Sequence, residues 1–496
     1  MNMYEIPVPK GITRKSLIED ENYCFELDNF VIDNGMMVLR QGCKKIHEDK
    51  EIKLIHQHVY LNALMLIQER GEVFLLKDEG KVSEKAGSLE LMTKYISKLF
   101  EFNDFLYVFL KDGTTKLFHY SDGQYRKVTA DTSDDRGEYK ATGVVAYKNR
   151  LWFYNEGSGV LQYTEPLAIK GKVNEYNVSH IFNPKGKLTT VFEMGFDSSS
   201  GIDSYLVAAF DSGDLLFFKG LDPNDVHNWS VLAKISLNTK VFPEYVKVNS
   251  TVYLKTAKGL VDVGIALQSQ GDLREALVTR DLTEQYVGKI DSMDWQNTFL
   301  TVFGKFLLIT SYEKGLSSYL FNIWEQSFST ITGWDIRQTA SMYDVLYFLD
   351  DKGAIFQAFT GGTDDGKEIR GLFFSNNFSF GNLKNKRIDN VTVQVKMNGN
   401  FKVFVDLDTH YESVNYRTEV GGLMVNKGIL WNKLSGLNWE NISAKVWNKM
   451  LNSNLHSTNI RRRKTGNMFN VKYMVVGNND TSSDFMILRT QLKGNE

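Results

Sequence analysis

Residues with chemical potential are few in this chain, and they are loosely grouped. His56 and His58 stand two apart in a strand-like segment and so share a face, where they could hold a metal or simply be packed or solvated. Asp131, Ser133 and Asp135 resemble a calcium loop, but Gly137 falls one place beyond the position where the turn glycine is needed, which leaves an exposed loop. Cys24 and Cys43 could pair across a hairpin or stay free, and free thiols are the expectation in a reducing compartment. Arg461, Arg462, Arg463 and Lys464 form the one dense basic run, which reads as a solvated turn or as a contact for phosphates or for acidic groups on a neighbouring subunit. No nucleophile elbow, phosphate loop, dinucleotide fingerprint or zinc-ligand spacing is visible. A glycosidase would need two facing carboxylates, and among 60 acidic residues nothing singles out a pair. No catalysis, cofactor or metal is therefore expected.

What positions these residues is a repeating β unit. Lys98 to Val128 holds the apolar run Phe105 to Leu110, which reads as a strand covered on both faces, and then strands at Lys116 to Tyr120 and Gln124 to Val128. Asp112-Gly113 and Asp122-Gly123 supply the positive φ that tight turns require. The same strand, glycine turn, strand grammar recurs about every 40 to 50 residues, as in a β-propeller blade. One such meander cannot cover both its faces, whereas radially stacked copies bury one another. Six blades are the expected count, over residues 48–365, with the faint copy near Val252 leaving five or seven open.

Residues 1–47 stand apart as a hairpin segment in which Asn34-Gly35 fixes a two-residue turn. After the polar cluster Gly361 to Gly366 the pattern changes, and residues 366–496 read as a β-sandwich-like domain. In it Val391, Val393 and Val395 alternate on one face, a turn at Asn398 to Asn400 leads to the strand Phe401 to Leu407, and Phe469 to Val476 with Asp484 to Gln491 forms a terminal pair. Trp439, Ile442, Val446, Trp447, Met450 and Leu451 recur at helical spacing, which predicts a helical insertion near 438–451. Trp439 and Trp447 there serve either the core or a docked partner. Trp152, Trp229, Trp295, Trp324 and Trp334 suit blade packing, although exposed aromatics of a sugar-binding propeller would look the same in sequence.

Composition agrees with an all-β chain. Of 496 residues 13% are aromatic, with 39 Gly and only 6 Pro, a balance that favours many short strands and tight turns. A net charge of −2 advertises neither a nucleic-acid binder nor a membrane-surface protein. No apolar run of membrane-spanning length and no secretory leader pattern is present, so a protein made in a cytoplasm, with no membrane insertion, is expected.

The order of these features resembles the nozzle, or tail-stabilisation, proteins of short-tailed bacteriophages. The likeness is carried by Asp28-Asn29-Phe30-Val31-Ile32-Asp33-Asn34-Gly35 with Arg40-Gln41-Gly42 and by the last blade, from Leu307 to Gln357. It continues in Gly428-Ile429-Leu430-Trp431, Ile460 to Lys464 and Phe469 to Val475. The segment Leu434 to Thr458 departs from the family pattern. The resemblance implies a structural virion protein, assembled in the host cytoplasm as a homo-oligomeric, hexameric ring at the distal end of the tail. It implies contacts with adaptor and portal-side proteins and with tail fibres or spikes. It implies too that such a ring extends the DNA channel, retains the genome and lets double-stranded DNA pass at ejection. A propeller that binds or hydrolyses glycans on a tail is the alternative.

Overall fold

The computed structural model describes residues 2–12, 23–77, 82, 85–128, 139–179, 183–198, 201–225, 227–280, 294–313, 315–342, 344–381, 383–398, 401–409, 455–466, 468–477 and 484–495. The candidate calcium loop, Gly428 to Trp431, and the proposed helical insertion with Trp439 and Trp447 lie outside them.

The repeat unit folds as its sequence requires. Strands Ile96–Phe102, Phe105–Leu110, Thr114–Ser121 and Gln124–Val128 form an antiparallel meander, and Leu106 to Leu110 is buried throughout. Asp122 and Gly123 take φ of 50° and 78°, the left-handed pair of a two-residue hairpin turn. Six further meanders follow the same order. Their first strands are Ile52–His58, Gly143–Tyr147, Leu188–Ser198, Val241–Val248, Thr298–Phe303 and Gln338–Met342, and most of those of successive sheets meet around a common axis, the last with the first included. Hydrophobic clusters close the ring, because each draws on two neighbouring sheets. Met65 packs with Leu106, Tyr107 with Phe153, Trp152 with Leu206, Phe192 with Val252, Tyr253 with Leu307 and Phe303 with Phe348. Leu64 with Leu349 brings the last sheet back to the first. The fold is an all-β propeller.

The count is seven blades, not six. The faint unit near Val252 is a sheet of three strands, Val241–Val248, Thr251–Thr256 and Gly259–Asp262, on which two short helical segments, Val263–Gln268 and Leu273–Ala276, bury Ala266 and Ala276 in the core. The last blade takes its outer strand from the opposite end of the chain, since Cys43–Glu48 pairs with Ala354–Ala358. The boundary at residue 47 is corrected with it, because that strand belongs to the propeller and ties first residues to last. The first two blades also touch at their outer strands, where Tyr125 pairs with Gly87 in parallel.

The segment from Cys24 to Asp33, which leads into the Asn34-Gly35 turn, is not one strand. Asn29, at φ 56°, breaks it into Cys24–Asp28 and Phe30–Asp33, which enter different sheets. Phe30–Asp33 and Met36–Leu39 pair across Asn34 and Gly35, whose φ values of 51° and 67° give the expected turn. Cys24–Asp28 inserts between the outer strand of the sixth blade and Ile369–Ser375, so one eight-stranded sheet runs from that blade into the C-terminal sandwich.

The sandwich core lies between this sheet and a second one of six strands. Val391, Val393 and Val395 face it fully buried, opposite Val403, Val405, Val471 and Val475, while Tyr473 Oη and Thr490 Oγ1 bond across the layers at 2.6 Å. Two expected local pairs are corrected here. Lys386–Asn398 and Phe401–Asp408 lie in opposite sheets, as do Asn470–Gly477 and Asp484–Asn495, because each apolar face needs a partner layer more than an adjacent strand.

Candidate functional site: the junction and the axis

Arg40 is the most heavily engaged side chain of the N-terminal arm. Its Nε donates to Asn29 Oδ1 at 2.7 Å, Nη1 to Gln41 O at 3.0 Å and Asp364 Oδ1 at 2.9 Å, and Nη2 to Thr332 O at 2.8 Å and Asp364 Oδ2 at 2.7 Å. All five N–H groups of the fork are thus used, with the guanidinium side chain only 1% exposed. The cation lies 4.5 Å from the centre of the Trp334 ring, whose Nε1 donates to the same Asp364 oxygen at 2.8 Å. Asn29, held in its left-handed conformation, donates to Arg370 O and Thr332 Oγ1 and accepts from Thr332 N. Beside it Asp28 accepts from Thr330 and Thr332, and burial pushes its carboxyl up to about 6. Gly42 follows because no side chain fits: a Cβ there would stand 1.8 Å from Thr363 O. The Asp28-Asn29 and Arg40-Gln41-Gly42 elements therefore form a buried polar joint among the N-terminal arm, the sixth and seventh blades and the entry to the sandwich.

The propeller axis is crossed by side chains. Lys98 of the second blade places Nζ 5.7 Å from the ring centre of Tyr245 in the fifth, and it bonds to Tyr154 of the third. Tyr154 reaches inward because its ring lies where a Cβ of Gly143 would be, 2.4 Å from Oη. Burial pushes the Tyr245 phenol up to about 12 and His56 down to about 4. A duplex, whose major groove alone is about 12 Å wide, cannot pass between groups this close.

Three carboxylates on the inner strands, those of Glu101, Glu193 and Glu244, are engaged by structural partners. Glu101 lies 2.6 Å from His58 Nδ1 and accepts from the backbone N–H groups of Val59 and Tyr60. Glu193 pairs with Lys247, and Glu244 pairs with Lys255 at 2.7 Å while accepting from Leu300 N. His58 turns to Glu101, and among the described residues no group of three or more His, Cys, Asp or Glu side chains that could hold a metal occurs. Cys24 and Cys43 are buried and not joined in a disulfide; Cys24 Sγ donates to Gly11 O at 3.3 Å, and burial with the nearby Asp364 carboxylate pushes Cys43 up to about 12.

The basic run is not a turn. Arg461, Arg462, Arg463 and Lys464 belong to the strand Leu455–Gly466, which pairs with Lys386–Asn398, Asn390 opposite Arg461 and Ile388 opposite Lys464. A long apolar neighbour with strict alternation imposes the extended form on a composition that reads locally as a loop. The strand stands at the edge of its sheet among the described residues, remote in the topology from the axis cluster. Of the five blade tryptophans, Trp152, Trp229 and Trp295 are buried, Trp334 serves the Arg40 joint, and Trp324 stands exposed.

Among the described residues no helix is long and apolar enough to cross a membrane. No protein-family model matches the chain, and no curated protein does. Among solved structures it is similar to the computationally designed Ika8 protein, at 9% identity and a TM-score of 0.39 over 64% of this chain and 100% of that one. A chain of the mitotic checkpoint complex matches at 11% identity and 0.39, over 65% and 93%. YCF48 from Cyanidioschyzon merolae matches at 13% and 0.38, over 64% and 98%. The propeller assignment rests on sheet order and closure, not on these likenesses.

Proposed function

We propose that this chain is a non-catalytic structural protein of a short bacteriophage tail, in which copies assemble as a ring that forms the distal nozzle. The observation that carries the reading is the joint built on Asp28-Asn29 and Arg40-Gln41-Gly42. Two of the elements through which the chain resembles the nozzle family, Asp28-Asn29 and Arg40-Gln41-Gly42, lie where its propeller meets its sandwich. A part that retains a packaged genome has to transmit load between domains without hinging. A continuous eight-stranded sheet with a buried ionic joint beside it suits that task. Since the axis of one propeller is crossed by Lys98, a channel for duplex DNA has to run between copies, which makes the ring a requirement of the function. Adaptor, portal-side and fibre or spike proteins are the partners proposed for the two ends. Light scattering of the purified chain, alone and with its adaptor-side partner, tests this: a hexameric mass is expected in at least one state, and a monomer in both counts against it.

A further inference from the structure

Trp324 is 74% exposed, whereas Trp152, Trp229 and Trp295 are at most 8% exposed. It occupies the turn between Ser318–Asn322 and Ser327–Ile331 of the sixth blade, and that turn is built rather than slack. Asn322, buried to 1%, accepts from Trp324 N at 3.1 Å and Glu325 N at 3.3 Å through Oδ1, and donates through Nδ2 to Ile32 O at 2.9 Å. Gln326 holds φ of 52° and donates to Ile323 O at 2.7 Å. The indole is thus presented on a turn pinned to the N-terminal hairpin.

Polar groups lie on this turn and on the hairpin it is pinned to. Lys305 Nζ lies 5.6 Å from the indole centre and 2.5 Å from Asp33 Oδ1, and Glu325 Oε1 accepts from Asn34 N at 2.9 Å. Docked protein surfaces anchor on aromatics surrounded by apolar contacts that exclude water, and here an ammonium stands over the ring while the turn and the hairpin beside it carry two carboxylates and an amide. A pyranose matches both parts, with a C–H face for the indole and hydroxyls for the polar rim. We propose that Trp324, with Asp33, Asn34, Lys305 and Glu325, forms a binding platform for neutral hexopyranose glycans. The Lys305 ammonium is already paired with Asp33, so two carboxylates outweigh it and acidic sugars are repelled. Such a platform is independent of the nozzle reading.

The test is saturation-transfer NMR on the full chain with maltohexaose, chitohexaose and an oligogalacturonate of the same length. An open single-ring platform binds weakly, so a Kd of about 0.1 to 1 mM for at least one neutral probe is expected, with the oligogalacturonate at least about tenfold weaker. Trp324→Ala weakens neutral binding at least about tenfold while Trp324→Phe stays within about threefold, and both keep the parent circular dichroism. No neutral binding up to about 10 mM, binding indifferent to Trp324→Ala, or a preference for the acidic probe overturns the proposal.

Discussion

Replacing Arg40 with Met should cost more stability than any other single change at the junction. The aliphatic stem is kept, so the loss is that of the guanidinium: five hydrogen bonds, the Asp364 ion pair and the stacking on Trp334. Most of the cost comes from the carboxylate left behind. Asp364 retains the Trp334 Nε1 donor, but its charge sits at 8% residue exposure with no cation, and stranding one member of a buried pair costs about 3 to 5 kcal/mol. Loss of the cation from the ring face adds about 1 kcal/mol. A total near 4 to 6 kcal/mol follows, comparable with the whole stability of many domains. Urea unfolding of Arg40→Met, Asp364→Asn and the double variant forms the assay, and the double variant should recover about 1 to 3 kcal/mol relative to additivity. A cost below about 1 kcal/mol for Arg40→Met, or strict additivity, would refute the role given to this joint.

Three further outcomes are expected. Gly35→Val forces a β-branched residue to φ near 67° and should cost about 1 to 3 kcal/mol by urea unfolding, although nothing stands within 4 Å of the new side chain. Asp28 is raised from 3.8 to about 6, so the folded chain holds its proton more tightly than the unfolded one. Its contribution is therefore full below pH 4 and is lost as pH rises through 6, worth about 3 kcal/mol over that span. The stability of the parent minus that of Asp28→Asn should fall across this window, and a flat difference would contradict the assignment. Duplex DNA should bind the isolated chain with a Kd weaker than about 1 μM at physiological salt, through Arg461, Arg462, Arg463 and Lys464. Titrating a labelled duplex against the parent and a variant with all four changed to Ser checks this, and sub-nanomolar or sequence-selective binding would sink a conduit role.

Much of the propeller was legible because its signals are local. Asp122-Gly123 and Asn34-Gly35 declare positive φ in the sequence itself, and Phe105 to Leu110 declares a strand buried on both faces. What the sequence concealed is long-range. The outer strand of the seventh blade, CKKIHE, carries little alternation and finds its partner at Ala354–Ala358, near the far end of the ring, so it read as lying outside the propeller, while the count fell one short at the three-stranded unit near Val252, where two short helical segments follow its last strand. Asn398 to Asn400 reads as a hairpin turn although its flanking strands go to opposite layers, a choice made by sandwich packing. At the candidate site the Arg40-Gln41-Gly42 motif was visible, but its five-donor geometry required Asn29, Thr332 and Asp364 to be brought together from three regions of the chain. Trp324 could not be told from the other blade tryptophans, since exposure depends on which strand ends face solvent.

Whether copies of this chain enclose a DNA channel is decided by an electron cryo-microscopy reconstruction of the assembled protein. A closed ring of six copies is expected around an open channel wide enough for duplex DNA, with each propeller axis still filled by Lys98, Tyr154 and Tyr245. A ring whose only passage runs through the propellers, or particles that stay single with their tail partners present, would contradict the nozzle reading.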